Sequence, residues 1–366
     1  MYLLLIVLFI SIGIQVIYFV VFIVTFSKKL PQKEPQSLPV SVIVCAHDEQ
    51  ENLKELIPTL LAQDHPTFEI VIVDDRSNDS TFDFLLAEAA KDHRVRMVHV
   101  NRTPPHADSK KYALTLGIKA ARYEWLLLTD ADCRPVSNSW ISIMSSHFGD
   151  HINFILGFSP YLKKPGVLNS FIRFETLLTA IQYLAFALMG NPYMGIGRNM
   201  AYRRSRFLEV KGFNTILSVT GGDDDLFVNL HGRAGNTAVC LDTQAQTHSI
   251  PKTTWKDFFY QKVRHLSVGR KYRFGHRFLL GIFVLTWITS WVAGILLAFY
   301  TANYYIIIAL LGFRLLLVTF TFYRVSKKLG QVFDVWIVPL LDFIYVFYYL
   351  VTGLLALVTK KVQWKN

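Results

Sequence analysis

Four short apolar runs constrain this chain more than any other feature: residues 40–46 (VSVIVCA), 68–73 (FEIVIV), 95–100 (VRMVHV) and 125–129 (WLLLT). Each is of strand length, and three are almost solidly apolar. The stretches between them, residues 52–63 (with Pro58 inside), 77–90 and 110–121, read as helices, the second opening on cap-type residues. Solid strands alternating with helices point to an α/β fold with a mostly parallel sheet covered on both faces. In such sheets ligands bind at the carboxyl ends of the strands. Three polar clusters fall there: His47-Asp48-Glu49, Asp74-Asp75, and Asp130 with Asp132.

The ends of the chain differ from this middle. Hydrophobic residues make up 52% of the chain, and mean hydropathy is +0.31, because apolar residues gather at both termini. Residues 1–26 are long and apolar enough to cross a bilayer, and Ser27-Lys28-Lys29 and Lys33 follow. A cleaved signal peptide fits poorly, since there is no basic leader and no small-residue cleavage site. The basic residues put the next segment on the cytoplasmic side. Residues 27–38 read as a linker. Three further apolar stretches cover about 278–300, 304–323 and 332–358, the second followed by the basic YRVSKK. One span before the sheet and three after it would leave the basic tail 360–366 outside, against the positive-inside rule. Either the last stretch, which holds Asp334, Pro339 and Asp342, is not one simple span, or the tail breaks the rule.

Residues 171–189 are apolar but interrupted by Arg173, Glu175 and Gln182, which favours a helix packed on the sheet or at the bilayer surface. Residues 255–277 mix aromatic and basic side chains and read as an interfacial amphipathic helix. The net charge of +11 sits largely in basic clusters beside apolar runs, as a membrane surface selects. No nucleic-acid recognition module is present. Three widely spaced cysteines form neither a disulfide framework nor a zinc pattern.

Three motifs carry chemistry. Asp130 and Asp132 lie one residue apart at the mouth of a buried strand, where alternation lets both side chains reach the same way. Paired carboxylates suit a hard cation, Mg²⁺ or Mn²⁺, holding a phosphate-bearing substrate. In GIGRNMAYRR (195–204), glycines allow close backbone approach, while Arg198 and Asn199 suit phosphate or sugar hydroxyls. Asp223, Asp224 and Asp225 repel one another in GGDDDLF, so a raised pKa or a nearby cation is expected. That suits a general base.

The ordered set SVIVCAHDEQENL, EIVIVDDRSNDST, SKKYAL, LLLTDADC, GIGRNMAY, GGDDDLF and QKVRH resembles the membrane-bound inverting glycosyltransferases of family 2, which include cellulose, chitin and hyaluronan synthases and ceramide glucosyltransferase. The resemblance covers residues 39 to 272. It implies a GT-A fold binding a nucleotide diphosphate sugar. It places Ala46, Asp48 and Glu49 in the nucleotide pocket, one of Asp74 and Asp75 on the base or ribose, and Lys110 near the nucleotide. It makes Asp130 and Asp132 the metal-binding pair, Asp132 foremost. The acidic motif supplies the catalytic base; counting from Gly222 gives Asp224, counting back from Leu226 gives Asp223, and Asp224 is preferred. Gln261, Arg264 and His265 stand in a Gln-x-x-Arg-Trp motif that binds the diphosphate, with histidine replacing tryptophan. That replacement puts processive polymer synthesis in doubt.

The sequence therefore leads to six regions: a spanning helix (1–26), a linker (27–38), a GT-A domain (39–250), an interface segment (251–277), a membrane region of two to three helices (278–359) and a basic tail (360–366). The expected activity is transfer of a sugar from a UDP-sugar to a lipid, a lipid-linked glycan or a growing polysaccharide. The expected place is a bacterial cytoplasmic membrane, with the catalytic domain on the cytoplasmic side. Rival readings are transfer to polyprenyl phosphate, and a membrane nucleotide-binding or transport protein without catalysis.

Overall fold

The structure is a computed structural model and describes residues 1–31, 33–34, 36–300 and 304–358. The basic tail lies outside the described residues. Helix α1 (Tyr2–Ser27) precedes β1 (Val40–Ala46). There follow α2 (Gln50–Leu61), β2 (Phe68–Asp75), α3 (Thr81–Lys91), β3 (Val95–Val100), α4 (Ser109–Ala120) and β4 (Trp125–Leu128). The four strands are parallel neighbours in the order β3-β2-β1-β4, as the β-α alternation predicts.

The sheet does not stop at β4. After β5 (Cys133–Pro135) and α5 (Trp140–Ser145), β6 (Phe154–Leu156) precedes a long helix, α6 (Val167–Leu188), and then β7 (Met200–Arg203). Strand β7 runs antiparallel to β4 with Met200 opposite Leu128, and β6 runs antiparallel to β7. The reversal puts the start of β7, and Arg198 just before it, at the edge where β1, β2 and β4 end. Helices α7 (Arg204–Glu209) and α8 (Asp225–His231) lead to β8 (Thr237–Val239), which closes the seven-stranded sheet beside β6. Strand β9 (Thr247–Ser249) pairs with β5 as a separate ribbon.

Side chains alternate between two cores. Val42, Val44, Ile70, Ile72 and Leu127 pack with α2, α3 and α5 on one face. Ile43, Val71, Leu126 and Leu128 belong on the other face to a core that continues through Phe171, Phe174 and Ile181 of α6 to Trp287, Phe322 and Tyr345 of the C-terminal helices. Each fully buried leucine contributes about 1.5–3 kcal/mol, so the three leucines of β4 anchor the sheet on both sides.

The C-terminal helices are α9 (Trp255–Gly269), α10 (Phe274–Tyr300), α11 (Tyr304–Lys328) and α12 (Val338–Val358). Among the described residues, five helices are long and apolar enough to cross a membrane: α1, α6, α10, α11 and α12. Helix α6 stands apart, with 78% of its most apolar window buried against 28–39% for the others. It packs within the protein, as its interrupting polar residues predict. The expected single amphipathic helix over 255–277 is instead two elements. Residues 270–273 break it, α9 packs on α12 with Phe258, Lys262, Val263 and Val268 buried, and α10 starts at Phe274. Phe258 meets protein, packed on Phe171 of α6 and Tyr348 of α12, while Trp255 and Tyr260 stay exposed.

The apolar stretch 332–358 also divides, with a short turn at Val335–Ile337 before α12. Pro339 falls in the first turn of α12, where its missing N–H costs nothing. Asp334, outside the helix, lies 3.3 Å from Lys163. Asp342 is fully buried and accepts hydrogen bonds from Arg314 (2.8 and 3.0 Å) and Trp291 (2.6 Å). Polar contacts also seat α1: Gln15 donates to the Phe283 carbonyl at 2.9 Å and Tyr18 to the Leu279 carbonyl at 2.8 Å.

Candidate active site

The carboxyl edge of the sheet brings Asp130 and Asp132 together. One ligand atom from each, with the Cys133 thiol, lies within 4.8 Å of the others. Burial first, then the neighbouring Asp130 charge, push the Asp132 carboxyl above its usual range. Two close carboxylates of which one resists ionising are relieved by a cation between them. The two oxygen donors fit a hard divalent ion. Cys133 does not fit. Its thiol is fully buried, its pKa is raised by that burial, and it lies 3.1 Å from the Ser249 hydroxyl.

The second acid cluster is tied to the first by one lysine. The Lys110 ammonium lies 3.1 Å from Asp130 and 3.3 Å from Asp223. Burial works against its charge, but Asp130, Asp223 and Asp224 outweigh it and hold its pKa well above the ordinary value.

The triplet follows a turn whose backbone conformation favours glycine. Gly221 and Gly222 have φ of +76° and +84°, and a Cβ on Gly222 would lie 2.7 Å from Leu226 Cδ1. Lys111 anchors this turn from below. It is fully buried, and its ammonium donates to the carbonyls of Val219 and Gly221. The SKKYAL stretch draws attention to Lys110; Lys111 has a local partner in Asp108 at 3.7 Å, but the two carbonyls that its ammonium donates to come from 108 and 110 residues away.

The three aspartates have different partners. For Asp223, burial opposes ionisation but Lys110 and Lys111 outweigh it, so its pKa is lowered. Asp225 accepts from Tyr272 at 2.8 Å and from the Leu226 N–H at 2.6 Å. Burial and then the Asp224 charge push its pKa up to about 8. Asp224 is the most exposed of the three. It caps α8 by accepting from the Asp225 N–H and also accepts from the Gly197 N–H, both at 2.7 Å. Burial, then Asp223, raise its pKa.

All three acids line a cavity of about 690 Å³ that Lys110, Arg198, Arg264 and His265 also line. Arg198 lies 4.5 Å over the Tyr161 ring and leaves one buried guanidinium nitrogen without a hydrogen-bond partner. Gln261 donates to the Tyr161 hydroxyl at 3.4 Å. Burial, then Arg264 and Lys262, hold the His265 pKa well below its usual value, so this imidazole is neutral.

Four expected contacts are placed differently. Asn199 is fully buried, and its amide is spent on the protein. It accepts from Trp140 at 3.0 Å and donates to the Phe158 and Ala245 carbonyls at 2.8 Å. It holds the β6–β7 edge together and does not face a substrate. Ala46 is also fully buried, packed beneath the edge. Asp74 and Asp75 have no exposed surface: Asp74 lies 2.7 Å from His99, and Asp75 accepts two hydrogen bonds from Arg76 at 2.8 and 3.1 Å. A nucleotide reaches either carboxylate only if His99 or Arg76 gives way. Asp48 and Glu49 shape the edge. The Asp48 carboxylate accepts from the Asn78 N–H at 2.6 Å, and Glu49 accepts from Asn52 at 2.6 Å.

Residues 41–210 match the family model described as glycosyl transferase family 2. Among curated relatives, the poly-β-1,6-N-acetyl-D-glucosamine synthase of Staphylococcus epidermidis is 33% identical over 95 residues, 25% of this chain and 21% of that one. The succinoglycan biosynthesis protein ExoO of Rhizobium meliloti is 33% identical over 93 residues, 25% of each chain. The chain thus matches about a quarter or less of the length of these two relatives. A solved mannosyltransferase of Pyrobaculum calidifontis, in complex with GDP-Man and Mn²⁺, superposes with a TM-score of 0.66 at 16% identity, covering 98% of this chain and 99% of that one. That likeness shows the fold. The mostly parallel sheet, the acid clusters at its carboxyl edge and the family match agree: the chain carries a family 2 glycosyltransferase domain on a GT-A fold, flanked by membrane-type helices.

Proposed function

We propose that this protein transfers one sugar from a nucleoside diphosphate sugar to the hydroxyl of a lipid or lipid-linked acceptor, with inversion at the anomeric carbon. The observation that carries this reading is the bridge Asp130–Lys110–Asp223, which sets a cation-binding pair and an acid triplet in one cleft. Asp130 and Asp132 would hold Mg²⁺ or Mn²⁺, which when bound supplies positive charge to the departing diphosphate. Arg264, Arg198 and Lys110 add fixed cationic charge around the same cleft. Asp224 takes the proton of the acceptor hydroxyl. The acceptor oxygen then bonds to the anomeric carbon as the bond to the diphosphate breaks. Asp224 is preferred over its neighbours because Asp223 is neutralised by Lys110 and Asp225 is committed to Tyr272. Its raised pKa also moves it toward the working range of a base.

The division into a domain over 39–250 between membrane segments is part of this reading, as is orientation toward the cytoplasm of a bacterial cell. The orientation is supported by Lys28 and Lys29 after α1, and by Lys327 and Lys328 at the end of α11. Both ends lie on the sheet side: just past α11, the Leu329 carbonyl accepts from Gln246 at 2.8 Å. A UDP-sugar is the donor that the motifs favour. GDP-sugars also belong in the test, since the mannosyltransferase of matching fold was solved with GDP-Man. The test is nucleoside diphosphate release by membranes holding the protein, over a panel of UDP- and GDP-sugars, with lipid extract as acceptor. Release with one donor that requires both lipid and divalent ion is expected. Binding of a nucleotide sugar without release from any donor would favour the non-catalytic alternative, and dependence on polyprenyl phosphate alone would move the acceptor to that class.

A further inference from the structure

The cavity that starts at the acid triplet extends between α6, α10 and α12, and its walls divide chemically. Helices α10 and α12 contribute Leu280, Val284, Ile288, Leu350 and Leu354, on elements apolar enough to lie in lipid. Helix α6 contributes Glu175, Thr179 and Gln182. Their spacing of four and three residues puts them on one helix face. Glu175 is paired with Lys262 of α9, so the wall is polar without a net charge from this pair. Thr176 Oγ1 also lines the cavity and is buried without a hydrogen-bond partner. Among the described residues, the Gln182 amide and the Tyr345 and Tyr349 hydroxyls that face this space have no hydrogen bond to protein.

The buried Thr176 hydroxyl is costly without a partner, and the Gln182, Tyr345 and Tyr349 polar groups, which are accessible, are open to a ligand that supplies several hydroxyls. Tyrosine rings add flat apolar faces beside their polar tips, which suits the C–H face and hydroxyl rim of a sugar ring. The part of the wall made by Leu280, Val284 and Ile288 of α10 and Leu350 and Leu354 of α12 is hydrocarbon. Resting on the glycosyltransferase reading above, we propose that the acceptor is itself a glycolipid. Its sugar head lies against Glu175, Thr179, Gln182, Tyr345 and Tyr349, and its tail passes along α10 and α12 toward the bilayer. This places the enzyme after a reaction that has already put a sugar on the lipid. Arg270 and Arg277 also line the cavity, so a lipid phosphate is the competing head and forms an arm of the test.

The full chain in lipid nanodiscs, without donor, is exposed to three photoreactive probes of one tail length: an alkyl glucoside, an alkyl phosphate and an alkanol, each with a diazirine in the tail. The glucoside should label α10 and α12 most strongly. Thr179→Leu with Gln182→Leu should reduce that labelling about fivefold or more, as loss of hydrogen bonds predicts, at unchanged melting temperature and Mn²⁺-dependent nucleotide binding. Should that pair fail to fold, Val284→Trp, which fills the hydrocarbon half, should reduce labelling by all three probes. Equal labelling by the three probes, strongest labelling by the phosphate, labelling unchanged in the folded double variant, or labelling by all three probes unchanged in Val284→Trp would overturn the proposal. Loss of nucleotide binding in the unaltered protein would instead sink the glycosyltransferase reading and leave the labelling result standing.

Discussion

Asp223, Asp224 and Asp225 are identical in chemistry and differ in what each already holds. Asp223 is neutralised by Lys110, and Asp225 is bound to Tyr272 from 47 residues away. Asp224→Asn should therefore retain nucleotide binding and lower the rate of transfer by about 10²–10⁴-fold, the usual contribution of a general base; single-turnover kinetics on purified protein would read it. Asp225 offers a pH test. Its folded pKa of about 8 lies above the ordinary carboxylate value near 4, so the folded state holds a proton that the unfolded state has lost. Stability should fall as pH rises between those two values. Asp225→Asn should flatten that slope in thermal melts recorded with a metal chelator present. The sequence made the crowding of the three acids legible, and with it the expectation of a shifted pKa. It could not rank them, because Lys110 and Tyr272 reach them only through the fold.

At the scale of elements, the turn before α8 depends on glycine geometry and on one buried lysine. Gly222→Ala forces a left-handed conformation on alanine and a close contact with Leu226. It should cost about 1–3 kcal/mol, seen as a lower melting temperature. Lys111→Met removes the donor to the Val219 and Gly221 carbonyls with little change in length. If the lysine acts by holding the triplet in place, turnover should drop while nucleotide affinity stays within about threefold, a split that marks loss of a transition-state contact. The four parallel strands were legible because each is an apolar run with helices between. Strands β6, β7 and β8 were not, being only three or four residues long and lacking the period that a longer strand shows. Asn199 departs from the sequence expectation for a related reason. A polar residue beside Arg198 looks like a ligand until β6 and β7 pair around it.

Over the whole molecule, one apolar core joins the sheet face to the membrane helices through α6, so the acid clusters are held by the same packing that holds the spans. Arg314 and Asp342 fasten that assembly inside the apolar layer. Both side chains are fully buried, and the guanidinium also lies 4.7 Å over Trp287. Arg314→Leu alone should destabilise by about 3–5 kcal/mol, because it strands a buried carboxylate, and Arg314→Leu with Asp342→Leu should cost much less. Melting of the two variants in one detergent would compare them. Apolar length made these helices plain in the sequence, but the pairing of two charges 28 residues apart was not.

The account rests most on the claim that the aspartate pair and the acid triplet serve one cleft in separate roles. Calorimetric titration of the preferred nucleoside diphosphate with Mn²⁺, run beside a transfer assay on the unaltered protein, Asp132→Ala and Asp224→Asn, addresses it directly. Asp132→Ala should lose Mn²⁺-dependent binding and transfer together, while Asp224→Asn should bind as the unaltered protein does and fail to transfer. Unchanged binding in Asp132→Ala, or full transfer by Asp224→Asn, would contradict it.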